Sequence, residues 1–264
     1  MDQHLIIAIN AAIQAGREII NVYNREFDVE LKVDASPLTI ADKKANHIIN
    51  QYLLETAIPI ISEENAQIDY NIRKEWDTCW MVDPLDGTKE FIKRNDEFTV
   101  NIALINRGKP ILGVIFVPVS KELYFADVKK METRYVRLST FEDSMEDLIQ
   151  SSIKIGKYKN PLEEVRVVGS RSHMNKETSD FVEDLKKGNK KVQIISKGSS
   201  LKFCLVAMGK ADIYPRFAPT MEWDTAAAQA ICEALGIKVI SQETNDPLLY
   251  NKENLLNPWF LVSR

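Results

Sequence analysis

The residues whose types and spacing could do chemistry are densest at positions 80–88, Trp-Met-Val-Asp-Pro-Leu-Asp-Gly-Thr. Two carboxylates, Asp83 and Asp86, fall there within six positions of a proline, a glycine and a hydroxyl. Trp80 to Val82 reads as the end of a buried strand, and the Asp-Pro and Asp-Gly steps read as a sharp turn leaving it. Two buried, unpaired carboxylates at the end of a sheet repel each other and lose hydration. A hard divalent cation such as Mg²⁺ removes that difficulty, because it takes oxygen ligands and tolerates carboxylates together with substrate phosphate. An acidic surface turn is the competing reading of so short a motif.

Further acidic and cationic groups stand at element ends. Ser62-Glu63-Glu64 closes a short apolar run, residues 58–61. Far downstream, Glu222-Trp223-Asp224 opens an apolar helical stretch. Taken alone, Asp224 is explained as well by the preference of helix N-termini for negative charge. Gly198-Ser199-Ser200 precedes another helix, which suits a phosphate or a ribose hydroxyl. Lys202 follows on its first turn, and Arg216 ends a strand, where its planar fork could grip a phosphate. His173 sits in a polar loop, as a ligand contact or simply as a surface histidine. Lys89, Lys93 and Arg94 follow the acidic motif, as a positive rim for an anionic substrate or as a solvated face.

These groups need elements to hold them. Residues 4–23 have apolar residues at helical spacing. Residues 27–33 alternate as a strand, and 34–37 read as a loop. Thr39 is placed to cap the next helix, with Asp42 three residues on as in a capping box. Strands are expected at 58–61, 76–83, 97–105, 111–117 and 122–125. Residues 127–164 are polar and weakly periodic, and a domain junction is expected there. Beyond it β and α alternate: strands at 165–168, 192–195, 211–214, 237–240 and 259–262, and helices at 176–187, 200–208 and 222–235. The expected fold is α/β, α+β in a first half (1–150) and α/β in a second (151–264), packed in layers.

Composition narrows the partners. The chain has 264 residues, 45% hydrophobic and 27% charged, as in ordinary soluble globular proteins. A formal net charge of −4 argues against extended nucleic acid, which usually meets a basic face. Cys79, Cys204 and Cys232 are an odd number without zinc-type spacing, so they read as free thiols in a reducing cytoplasm. Residues 1–10 lack the basic start of a signal peptide, and no apolar run reads as membrane-spanning.

The whole sequence resembles the lithium-sensitive, magnesium-dependent phosphatases that include inositol monophosphatase and fructose-1,6-bisphosphatase. Their signatures Asp-Pro-x-Asp-Gly-Thr and Trp-Asp-x-Ala-Ala stand at 83–88 and 223–227, and their upstream acidic pair at 62–64. Within that family it is most similar to the bacterial CysQ-type 3′(2′),5′-bisphosphate nucleotidases. Residues 80–95, 97–103, 170–173, 198–204 and 214–217 carry this likeness in both halves.

The resemblance implies a layered αβαβα sandwich and two Mg²⁺ ions per chain, or three. Glu63, Asp83 and the carbonyl of Leu85 would hold one ion; Asp83, Asp86 and Asp224 would hold a second. Of the acidic pair, Glu63 would be the ligand and Glu64 its neighbour. Thr88, together with Asp42, would orient or deprotonate the attacking water, with Glu63 as part of the catalytic set. Gly87, Thr88, His173, Ser199, Ser200, Lys202, Arg216 and Asp224 would line the substrate site. The implied reaction is Mg²⁺-dependent removal of the 3′-phosphate of adenosine 3′,5′-bisphosphate, and of 3′-phosphoadenylylsulfate, in clearing a by-product of sulfate assimilation. Lithium would compete at the second metal position. The implied form is cytoplasmic, monomer or weak dimer, without integral membrane contact, with the inner face of a membrane as an alternative place. An inositol-phosphate phosphatase and a non-catalytic metal- or nucleotide-binding protein are the rival readings.

Overall fold

The computed structural model describes residues 1–31, 37–156, 164–169, 175–188 and 191–264. In chain order the elements are α1 (Gln3–Tyr23), β1 (Val29–Leu31), β2 (Pro37–Thr39), α2 (Ile40–Leu54), β3 (Ile60–Ser62), α3 (Tyr70–Arg73), β4 (Thr78–Asp86), α4 (Thr88–Ile92), β5 (Thr99–Asn106), β6 (Lys109–Val117), β7 (Glu122–Asp127) and β8 (Glu132–Arg137). There follow α5 (Met145–Ser151), β9 (Ile153–Lys154), β10 (Glu164–Gly169), α6 (Lys176–Lys187), β11 (Lys191–Ser196), α7 (Leu201–Ala207), β12 (Ile213–Arg216), a 3₁₀ turn (Glu222–Asp224), α8 (Ala226–Glu233), β13 (Lys238–Ser241) and β14 (Phe260–Ser263).

Strands β3 to β9 form one seven-stranded sheet in sequence order, and the second half forms a five-stranded sheet in the order β11-β10-β12-β14-β13. Side-chain alternation splits the central strands between two cores. Trp80, Val82, Val100, Ile102, Leu104, Val114 and Phe116 face the core shared with α1 and α2. Cys79, Met81, Ala103, Ile105, Ile115 and Val117 face the opposite core, shared with α7, α8 and the second sheet. Because both faces are covered, these strands read as continuous apolar runs. On the far face of the second sheet Val182 of α6 packs on Val165 and Val167. The layers are α1/α2, seven-stranded sheet, α7/α8, five-stranded sheet and α6, the expected αβαβα sandwich.

The first helix bears out its periodicity: Leu5, Ile9, Ala12, Ile13 and Ile19 are buried, and Asp2 caps it by accepting the His4 amide at 2.8 Å. Contrary to the sequence reading, α1 is long and apolar enough to cross a membrane by length and composition; its mean hydropathy is 1.3 over 18 residues. Yet 56% of that stretch is buried inside the protein, as for a core helix.

Several boundaries move. The stretch read as a polar junction contributes β8, α5 and β9, which complete the seven-stranded sheet. These edge elements bury few side chains, chiefly Thr133, Val136 and Leu148, so their apolar signal is weak. Strand β12 starts two residues later than expected and runs to Arg216. Of the strand expected at 27–33 only Val29–Leu31 pairs, Pro37 opens β2 rather than closing a loop, and residues 32–36 lie outside the described residues. The turn expected after Val82 is strand, since β4 runs through Asp86. The helix expected at 222–235 is split into the 3₁₀ turn and α8.

Candidate active site

Registration brings the first carboxylates together. Strands β3 and β4 are parallel, with Ser62 opposite Val82. The Glu63 amide donates to the Val82 carbonyl at 3.2 Å, so Glu63 and Asp83 leave the sheet side by side. On the other edge of β4, Asp83 pairs with Asn101 and Asp86 with Thr99. Three steps on β4 thus match two on β5, a bulge of one residue at Pro84-Leu85. In a regular strand Asp83 and Asp86 would point to opposite faces; the extra residue turns both toward the same site. Proline is tolerated here because a bulge needs no ladder donor from it.

Gly87 follows with φ of 95° and caps α4. A Cβ at that position would lie 3.0 Å from the Glu97 carbonyl, so only glycine fits both the conformation and the space.

Asp224 arrives from the second half on the 3₁₀ turn. The buried Glu222 carboxylate accepts from the amides of Asn251 (2.5 Å) and Lys252 (3.1 Å) and from the Lys252 ammonium (2.5 Å). Asn257 donates to the Met221 carbonyl at 2.7 Å and to the Thr225 hydroxyl at 3.0 Å. Arg73, itself buried, fixes the same segment by donating to the Asn251 side chain and to the carbonyls of Lys252 and Glu253. These contacts span separations of about 30 and about 180 residues. They hold the turn in 3₁₀ form and delay the helix to Ala226, which local sequence alone does not dictate.

The outcome is a trio, Glu63, Asp83 and Asp224, whose carboxylate oxygens lie within 4.8 Å of one another. Asp83 is 1% exposed. Burial, and then the charges of Glu63, Asp86 and Asp224, push its carboxyl well above the usual range. Burial, with the Asp86 charge next, pushes Asp224 up to about 8. Burial raises Asp86 to about 6, against the opposing pull of Lys202 and the Ser200 amide. Carboxylates packed this closely favour protonation unless a cation balances them. The donor set is all oxygen, without histidine or cysteine, and so fits a hard divalent cation of the Mg²⁺ kind. Glu63 joins the trio and Glu64 does not, which separates the acidic pair that the sequence leaves side by side.

Asp42 and Thr88 meet beside this trio. The expected capping box forms: the Thr39 hydroxyl accepts the Ala41 amide at 3.1 Å, while Asp42 Oδ2 accepts the Thr39 amide at 2.8 Å and hydroxyl at 2.6 Å. The cap leaves Asp42 Oδ1 for the Thr88 hydroxyl, at 3.1 Å. That hydroxyl is also 3.3 Å from the Leu85 carbonyl. Burial raises the Asp42 carboxyl, and its bonds to Thr39 and Thr88 oppose the shift.

A cavity of about 540 Å³ opens from Asp86 and Asp224 and is lined further by Ser199, Ser200, Lys202 and Arg216. Lys202 is buried, donates to the Ser199 carbonyl at 2.7 Å and lies over the Tyr214 ring at 5.5 Å. Burial lowers its ammonium to about 8. Arg216 donates to the Pro219 carbonyl at 2.9 Å; among the described residues its buried Nε finds no partner, nor does the buried Ser199 hydroxyl. Lys89 and Lys93 border the cavity. Arg94 turns away, donating to the carbonyls of Tyr23 and Arg25 over the Tyr23 and Phe27 rings. His173 lies outside the described residues.

Sequence reading gave no role to several residues that build this site, among them Asn101, Thr99 and Glu97. Asn101 Nδ2 lies 3.4 Å from Asp86 Oδ2, and its Oδ1 accepts the Ser200 hydroxyl at 2.8 Å. Their signal was available: Thr99 and Asn101 are polar residues on one face of an otherwise apolar strand, and buried polar side chains require partners.

Comparison with known proteins agrees with this geometry. The model of the inositol monophosphatase family matches residues 1–259. The 3′(2′),5′-bisphosphate nucleotidase CysQ of Escherichia coli K12 is 44% identical over 257 residues, 96% of each chain. The protein of that name in Haemophilus influenzae is 33% identical, over 99% of this chain and 93% of its own. Among solved structures, CysQ from Bacteroides thetaiotaomicron superposes with a TM-score of 0.88 at 48% identity, covering 100% of this chain and 97% of the other. An IMPase from Thermotoga maritima, at 22% identity and a TM-score of 0.73 over 99% and 92% of the chains, shares the fold. The family signatures, the converging carboxylates and a match along nearly the whole sequence lead to one conclusion: this chain belongs to the inositol monophosphatase family.

Proposed function

We infer that this protein is a metal-dependent phosphatase that hydrolyses the 3′-phosphate of adenosine 3′,5′-bisphosphate to AMP and phosphate. The observation that carries the reading is the carboxylate trio Glu63, Asp83 and Asp224, whose Asp224, with Asp86, lines a cavity that has Lys202 and Arg216 in its wall. Identity of 44% along 96% of the chain to proteins named 3′(2′),5′-bisphosphate nucleotidases supports the nucleotide as substrate. 3′-Phosphoadenylylsulfate presents the same 3′-phosphate and is the second expected substrate.

Glu63, Asp83 and the Leu85 carbonyl would hold one Mg²⁺, and Asp83, Asp86 and Asp224 a second, with a third ion allowed. When bound, such ions neutralise the phosphate oxygens, lower the pKa of water and stabilise the leaving oxygen. The Thr88 hydroxyl orients the attacking water and relays its proton to Asp42, whose raised carboxyl suits a proton acceptor. The water oxygen bonds to phosphorus as the P–O3′ bond breaks, and the 3′ oxygen takes a proton from solvent water as it leaves, a proton that Asp42 restores by releasing the one it accepted. Lys202 and Arg216 grip the remaining anionic part of the nucleotide.

The same reading divides labour between residues 1–150, with most metal ligands, and 151–264, with Asp224 and the selecting residues. Membership of the two sheets, Ile60 to Lys154 in one and Glu164 to Ser263 in the other, supports a two-part division with its boundary after Lys154. The expected form is a cytoplasmic monomer or weak dimer, checked by sedimentation, with vesicle flotation as the check on peripheral membrane contact.

The deciding measurement is phosphate release from adenosine 3′,5′-bisphosphate, inositol 1-phosphate and fructose 1,6-bisphosphate, with and without Mg²⁺. The expected result is Mg²⁺-dependent turnover with the nucleotide best by kcat/KM. A higher kcat/KM for either other ester would overturn the substrate assignment.

A further inference from the structure

The turn between β11 and α7 forms one wall of the cavity, and it is fastened from the other half of the molecule. Glu97, 4% exposed, accepts the Gly198 amide through Oε2 at 2.8 Å and the Lys197 ammonium through Oε1 at 3.0 Å. The next anchors are the Ser200 amide on Asp86 Oδ2 at 2.5 Å and the Ser200 hydroxyl on Asn101 at 2.8 Å. Between them Ser199 is held at φ of 43°, its hydroxyl buried and without a partner among the described residues. Such a conformation is disfavoured for a residue with a side chain and persists only where its surroundings impose it. Gly198 permits the approach: a Cβ there would lie 2.9 Å from Glu90 Cγ and 3.0 Å from the Glu97 carbonyl. The Ser199 carbonyl in turn accepts the Lys202 ammonium.

Glu97 therefore holds neither the metal trio nor the Thr88–Asp42 pair. It holds the short segment from which Ser199 and Lys202 face the cavity. We propose that Glu97 is a specificity-determining positioning residue, a latch from the first half that sets the Lys197–Ser200 turn for binding the nucleotide. This rests on the nucleotidase reading for the identity of the ligand. A carboxylate suits the task because one of its oxygens serves a backbone amide while the other balances an ammonium. Without it the Gly198 amide would be buried unpaired and the strained turn free to relax.

The test compares wild type with Glu97→Ala, Glu97→Gln and Lys197→Met in Mg²⁺. The readouts are KM and kcat for adenosine 3′,5′-bisphosphate, the inhibition constant of AMP, and Tm. Glu97→Ala is expected to raise KM and the AMP constant together by about tenfold or more, with a much smaller change in kcat. Glu97→Gln keeps an acceptor for the Gly198 amide, so it should fall between the alanine variant and wild type. Lys197→Met, on a half-exposed side chain that does not endanger folding, should raise KM by about two- to fivefold. A merely structural residue would lower Tm and leave KM in the folded fraction unchanged. The latch is overturned if Glu97→Ala folds with KM near wild type, or if kcat falls while KM stays. Should Glu97→Ala not fold, near-normal KM values in both other variants overturn it. If wild type prefers another phosphate ester, the nucleotidase reading falls, and the same KM criterion applied to that ester judges the latch by itself.

Discussion

The two walls of the site are built differently. On one wall, Glu63, Asp83 and Asp86 come from adjacent strands of a single sheet, and their positions follow from register plus one bulge. On the other, Ser199 and Asp224 come from short turns of the second half and Lys202 from the first turn of α7, the turns being held by side chains far away in sequence. The first wall presents carboxylates for cations, and the second adds Asp224 to them beside cations and hydroxyls for the substrate. A rigid sheet suits the metal positions, which tolerate little displacement. Turns can vary in sequence without disturbing that sheet, and in this way one fold can serve several phosphate esters.

If this contrast holds, damage to the first wall should abolish chemistry and damage to the second should alter binding. The largest effect is expected for Asp83→Asn, with kcat reduced on the order of 10³-fold or more. Its circular dichroism should remain native, because the amide keeps the shape and relieves carboxylate repulsion; near-normal turnover would break the comparison at its strongest point. Thr88→Ala should cost about 10²- to 10³-fold in kcat with KM little changed. Thr88→Ser, which keeps the hydroxyl on Asp42, should recover most of that loss; equal damage from both would deny the hydroxyl its role.

Asn257→Ala tests the second wall at a distance from the ligands. Losing its bonds to the Met221 carbonyl and the Thr225 hydroxyl should lower stability by about 1–3 kcal/mol. It should also shift the Mg²⁺ activation midpoint upward, since Asp224 rides on that turn. A lowered Tm with an unmoved Mg²⁺ midpoint would make Asn257 a purely structural residue.

The smallest expected effect is on pH. Asp86 and Asp224 have carboxyls raised to about 6 and about 8. An unfolded chain releases these protons near pH 4, so between about pH 4 and 8 the metal-free folded protein binds more protons than the unfolded one. Its stability therefore declines as pH rises through that window. Mg²⁺ favours the ionised carboxylates, so it should raise Tm more at pH 8 than at pH 5.5. Thermal melts with EDTA or with Mg²⁺ at the two pH values check this; an equal gain at both would detach these carboxyls from metal binding.

The parts of the fold legible in advance were those with strong local periodicity. Residues of α1 at helical spacing, the Thr39–Asp42 capping box and the apolar strands β4 to β7 all form as their patterns imply. Strands β8 and β9 were hidden because the last two strands at this margin of the sheet bury few side chains. The split of α8 from its 3₁₀ turn was hidden because Glu222 is bound by residues about 30 positions on. At the site, Asp83, Asp86, Thr88 and Asp224 stand in motifs a reader can find. Glu97 and Asn101 stand in a stretch that carries the likeness and Lys197 outside one, but none of the three shows its role there, because that role lies in what each touches across the molecule.

By itself the sequence determined the chemical types at the site, the cap that orients Asp42 and the α/β pattern. Those rest on interactions within a few residues, which composition and spacing encode directly. Only the tertiary structure decided that Asp83 and Asp86 share a face, that Asp224 comes within reach of Glu63 and Asp83, and that Glu97 fastens the opposite wall. Each of those depends on register, on a bulge or on a contact between distant segments, and these arise only when the two cores and both sheets pack together.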